Sequence, residues 1–177
     1  MTAGQPEPAW NDTAAPVPEV GVAELVAAQV ARTPESPAVT FGSATLTYAD
    51  VDRRAARLAR RLAALGVRPG ALVGVYLERS VEVVVTLLAV ARAGGAYVPL
   101  DPDFPADRIA FMLADCRAPV LVTQADLTQA LPASDAEVLL VDDDRDVDAS
   151  LAGSGPEDLA YVIYTSCLLY TSPSPRD

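Results

Sequence analysis

The run ALVGVYLERSVEVVVTLLAVARAGGAYVPL, residues 71 to 100, decides the fold. Ala71 to Leu77 is almost continuously apolar and short, which predicts a strand buried on both faces. Ser80 stands at a helix N-cap position, and the apolar residues after it carry a helix to about Ala93. Gly94 and Gly95 end that helix, since glycine takes up a left-handed backbone without a side-chain clash. The stretch AYVPL then returns to strand character. A strand, a helix and a strand in such close order are the unit of a parallel sheet.

The pattern continues in both directions. Asp101 and Pro102 form a loop, Pro105 opens a helix running to about Cys116, and Pro119 to Thr123 and Glu137 to Val141 read as strands. Leu159 to Thr165, LAYVIYT, is strand-like as well. Upstream, Val22, Leu25, Val26 and Val30 recur at helical spacing until RTPESP stops them. Ala38 to Phe41 and Thr45 to Leu46 flank Gly42 and Ser43 as a hairpin. Thr47 with Asp50 is a capping-box pair, and Val51, Ala55, Leu58, Leu62 and Leu65 form the apolar stripe of the helix it opens. Gly66 closes that helix. Its arginines, Arg53, Arg54, Arg57, Arg60 and Arg61, read as a solvated face opposite the stripe. Together these elements predict an α/β fold, a largely parallel sheet flanked by helices.

Composition removes several functions. The net charge of -11 opposes a nucleic-acid surface, which needs clustered positive charge, so no nucleic-acid partner is expected. No apolar run reaches the roughly 18 residues of a membrane span, Val81 to Ala91 being interrupted by Glu82, so no membrane is expected. Met1 to Gln5 show neither a positive n-region nor an apolar h-region, and a cytoplasmic location is the expectation. Cys116 and Cys167 are too few for a disulfide framework, and Cys116 reads as a small buried hydrophobe. There is no histidine, and all 13 basic residues are arginine, so a His base, a Lys phosphate clamp and a Schiff-base Lys are excluded. The acidic run DDDRDVDASLAGSGPED lacks the spacing of a calcium loop and reads as solvated surface; no metal ligands are assigned.

Three stretches together resemble the adenylation domains of nonribosomal peptide synthetases, in the adenylate-forming superfamily. They are LTYADVDRRAARLARRLAALGVRPGALVGVYLERS, ARAGGAYVPLDPDFPADRIAFMLADC and LAYVIYTS. The last resembles the start of a Gly-, Ser- and Thr-rich loop that in the family ends in Pro-Lys-Gly. Residues 1–20, with Pro6, Pro8, Pro16 and Pro18 and with Trp10 as a candidate anchor, are similar to the linker after a condensation domain. Residues 21–166 are then the N-terminal portion of an AMP-binding domain, an incomplete part of the adenylate-forming fold.

The resemblance implies that ATP activates an amino acid. The carboxylate attacks the α-phosphate, and the phosphopantetheine thiol of a peptidyl carrier protein then takes the acyl group. Magnesium and positive charge offset the repulsion between the two anions. Thr165 and Ser166 are the candidate cofactor-binding residues, because a strand leading into a Gly-rich loop offers hydroxyls and N–H groups to phosphate. No catalytic residue is assigned. The family's lysines have no counterpart in a chain without lysine, so these 177 residues are expected not to adenylate. The alternatives are a fragment of an acyl-CoA or aryl-acid ligase of the same superfamily, and a non-catalytic α/β docking module. The stretch AYVPLDP favours the peptide-synthetase branch.

After Ser166 the family pattern asks for glycine, and the sequence reads CLLYTSPSPRD. That string resembles the translation of a transposase sequencing adapter in one frame. Its two prolines near the end would remove N–H groups a phosphate cradle needs. The expectation is that residues 167–177 are adapter-derived and that the gene's own sequence departs at Ser166.

Overall fold

In the computed structural model, residues 13, 15–16, 18–143 and 145–165 are described. Trp10, Ser166 and Cys167, and so the proposed anchor, half of the predicted phosphate pair and the adapter-like tail, lie outside them.

Helix α1 (Val22–Arg32) leads to the hairpin β1 (Pro37–Phe41) and β2 (Ala44–Thr47), paired antiparallel with Val39 opposite Leu46. Helix α2 (Tyr48–Ala64) follows at once. Its start is the predicted capping box: Thr47 Oγ1 accepts from the Asp50 N–H at 3.1 Å, and Asp50 Oδ2 accepts from the Thr47 N–H at 3.1 Å. Two of the first-turn N–H groups that would otherwise lack partners are thereby satisfied.

The decisive stretch forms β3 (Leu72–Tyr76), α3 (Val81–Ala93) and β4 (Ala96–Leu100), and α4 (Ala106–Cys116), β5 (Val120–Thr123) and β6 (Glu137–Leu140) complete the set. The larger sheet has the order β4-β3-β5-β6, every pair parallel. Gly94 takes φ 88°, the left-handed stop that the sequence predicts.

Helices cover both faces of this sheet. On one, α2 and α3 pack Val51, Leu58, Leu62, Val85 and Ala89 against Val73, Val120 and Val122. On the other, Ile109, Met112 and Leu113 of α4 meet Val98, Leu100 and Leu121. Val120, Leu121 and Val122 thus alternate between the two cores, as the period of a strand requires. At about 1.5–3 kcal/mol for each large apolar side chain buried, these layers dominate the favourable side of folding. Gly74 leaves room for the side chains packed over β3: a Cβ there would stand 2.8 Å from Leu121 Cδ1 of β5 and 3.3 Å from Leu113 Cδ2 of α4.

Three expectations are corrected. Arg61 is not on a solvated face but only 5% exposed, donating to the carbonyl of Leu140 at 3.0 Å and pairing with Asp143 Oδ2 at 2.9 Å. It follows Leu58 by three residues and precedes Leu65 by four, so it borders the stripe instead of opposing it. Ser80 is the N-cap of α3 by position only; its hydroxyl donates to the Glu78 carbonyl at 3.3 Å. Helix α1 forms where the apolar spacing predicts it, with Val26 packed partly against the core and Val22 63% and Leu25 46% exposed. Leu159 to Thr165 makes a single parallel bridge, Tyr161 to Tyr97, and no full strand. Only the Ala160 carbonyl and the Val162 N–H reach β4, both at Tyr97, so the ladder stops after one step.

Candidate functional site

The predicted site lies at the exit of that bridging segment. The Tyr97 N–H donates to the Ala160 carbonyl at 3.2 Å, and the Val162 N–H donates to the Tyr97 carbonyl at 3.0 Å. Side chains alternate from there. Tyr161 stacks on Tyr97, ring centroids 5.5 Å apart, while Val162 and Tyr164 pack against the α4 core. Thr165 follows as an exposed residue without regular structure. Its hydroxyl and backbone suit a phosphate oxygen, and the segment that carries it is fixed to the sheet through Ala160 and Val162, just upstream.

Tyr164 is the residue that sequence reasoning passed over. Its hydroxyl donates to Asp115 Oδ2 at 2.5 Å and lies 3.5 Å from the Met112 carbonyl oxygen, both in α4. The Phe111 ring meets it edge-on at 6.4 Å. Burial, then the Asp115 carboxylate, push the phenol above its ordinary range. Burial, then Tyr161, likewise raise Tyr97. The alternation in AYVIYT was the available signal, because it places residues 162 and 164 on one face.

The strand order also creates a switch point in the sheet. β3 leads away to β4 on one side and β5 to β6 on the other, so chains diverge between their carboxyl ends. Thr165 leaves from beyond β4, outside that crevice. The structure therefore does not join the predicted phosphate residue to the switch point.

A groove of about 450 Å³ lined by Arg53, Arg54, Arg57, Arg61, Glu82 and Asp143 has the look of an anion site. Its charges are already matched. Arg53 pairs with Asp50 at 2.6 Å, Arg54 with Glu82 at 2.7 Å, Arg57 with Asp146 at 3.1 Å and Arg61 with Asp143 at 2.9 Å. The groove is a seam joining α2 to α3 and to the turn after β6. Cys116 is half-buried in α4, and burial pushes its thiol up, away from nucleophile chemistry. Among the described residues no cluster of His, Cys, Asp and Glu stands ready for a metal, and no helix is long and apolar enough to cross a membrane.

Comparison with known proteins agrees with the sheet. The chain is 45% identical over 162 residues to a linear gramicidin synthase of Brevibacillus parabrevis, covering 89% of this chain and 2% of that protein. It is 46% identical over 147 residues to tyrocidine synthase 3 of the same organism, covering 81% of this chain and again 2% of the relative. It thus spans a small part of the length of these relatives. Among solved structures, the nonribosomal peptide synthetase FmoA3 superposes with a TM-score of 0.82 at 41% identity, over 88% of this chain and 17% of that one. The α/β architecture is that of the N-terminal part of adenylation-domain structures. The match to the family described as AMP-binding enzyme runs over residues 26–167, most of the sequence, and the chain belongs to that family.

Proposed function

We propose that this chain is part of an amino-acid-activating ligase of nonribosomal peptide synthesis. In this reading an amino acid and ATP give an aminoacyl-AMP and pyrophosphate, and a carrier protein's phosphopantetheine thiol then accepts the acyl group. The supporting observation is the segment from Tyr161 to Thr165, bonded to β4 in a fold that is 41% identical to FmoA3. One FmoA3 structure carries α-methyl-L-serine-AMP, with a TM-score of 0.80 to this chain. The relatives matched over most of this chain are peptide synthetases, which favours an amino acid over an aryl or fatty acid.

Thr165 and Ser166 are the residues of this chain that would receive ATP's phosphate oxygens. When bound, ATP with Mg²⁺ supplies the adenylyl group and the counter-charge. The described sheet contributes position, by holding the backbone that enters the loop. Residues 1–20 fit a linker to a preceding condensation domain, and residues 167–177 fit adapter sequence.

Amplifying source DNA across the Ser166 codon tests both assignments. A frame that continues into a Gly-rich loop with Pro-Lys-Gly, and later a carrier domain, supports them; a stop codon directly after Asp177 overturns the adapter assignment. The longer product should catalyse amino-acid-dependent exchange of pyrophosphate into ATP, and failure with every amino acid overturns the ligase reading. The 177-residue chain, which has no lysine, should show no exchange above background.

A further inference from the structure

Asp115 occupies an unfavourable place for a carboxylate. It lies in the last turn of α4, where the helix dipole presents its negative end, and no basic residue stands in that turn. Phe111, one turn earlier, is 61% exposed and sets its ring against Tyr164. Asp115 costs stability within α4, and both residues meet the same phenol, 49 residues further along the chain from Asp115. That phenol immediately precedes Thr165.

We propose that Tyr164 and Asp115 form a clasp that positions the backbone entering the phosphate loop at Thr165, with Tyr164 as a positioning residue. The clasp complements the hydrogen bonds between Tyr97 and residues 160 and 162, which hold the segment from the strand side. Its hydroxyl ties the same segment to the helix packed beneath, so residues 160 to 164 are held from two directions. The Tyr164 ring packs in the α4 core and Thr165 is exposed to solvent. The inference rests on the nucleotide reading of Thr165 and Ser166.

Hydrogen exchange of the 177-residue chain tests the clasp. Tyr164→Phe and Asp115→Ala should each speed exchange at the Val162 amide, which donates to the Tyr97 carbonyl, about tenfold, the loss expected for one charge-assisted hydrogen bond. The α2 amides should be unchanged, and Asp115→Asn, which keeps an acceptor oxygen, should restore most of the protection. Unchanged exchange in both disruptive variants overturns the clasp. If either variant unfolds the chain, isotope-labelled tyrosine in wild type and Asp115→Asn decides: a Tyr164 phenol that titrates lower once the Asp115 charge is gone supports the clasp, and an unchanged one overturns it.

In the longer synthetase, Tyr164→Phe should raise KM for ATP several-fold while kcat and the amino-acid KM hold. Unchanged KM with accelerated exchange overturns the positioning role. Wild-type enzyme inactive with ATP overturns the nucleotide reading instead, and leaves the exchange result to stand on its own.

Discussion

Arg61 is the one charged side chain that is buried among the described residues, and its guanidinium replaces water with two carbonyl oxygens and a carboxylate. Arg61→Ala takes a donor from the carbonyls of Leu140 and Asp143 while the Asp143 carboxylate keeps Arg145, so it should destabilise the chain by about 1–3 kcal/mol in denaturant unfolding. Arg53→Ala, which breaks an exposed pair on the same helix, should stay within about 1 kcal/mol. Arg61→Lys should recover only part of the loss, because an ammonium cannot span the same fork of acceptors. The sequence showed five arginines on one helix but not which of them would be covered. That depends on the turn after β6, whose Asp143 is 82 residues away. Tyr164 was hidden for the same reason: its partner lies in another motif, and neither residue announces the pair alone.

Elements were legible where local chemistry decides them. The capping box, the glycine stops and the β3-α3-β4 unit stand as read, because each is settled within a few residues. Thr47→Ala should cost about 1 kcal/mol by calorimetry, as loss of an N-cap does elsewhere. Hydrogen bonds from the Thr47 side chain and backbone, and then from Arg53, hold Asp50 down to about 2. A carboxyl lowered on folding stabilises above its unfolded value and loses that effect as pH falls to the folded one. Thermal stability should therefore decline between about pH 4 and 2. Asp50→Asn should flatten that decline without abolishing it, because Asp143, held mainly by Arg145, is also lowered to about 2. Where long-range neighbours decide, the sequence reading overreached: residues 159–165 have strand character but make a single bridge, to Tyr97.

At the scale of the molecule, a four-stranded parallel sheet carries helices on both faces, while the edge beyond β4 shows Leu159, Tyr161 and Ile163 each at least half exposed. An uncovered apolar edge is a template for another chain. The 177-residue chain should associate as its concentration rises in sedimentation, and Ile163→Lys should suppress this without lowering the unfolding midpoint; monomeric wild-type behaviour throughout would count against it.

The buried guanidinium also orders events in time. Helix α2 can form as soon as it is made, yet the carbonyl that Arg61 requires belongs to Leu140, 79 residues later. During synthesis, which presents the chain from its first residue onward, β6 is made after α2, so the Arg61 contacts to Leu140 and Asp143 are late ones. Closing so long a loop is slow in entropy rather than in strength. The same guanidinium therefore locks α2 to the end of the sheet only once β6 and the turn after it are in place.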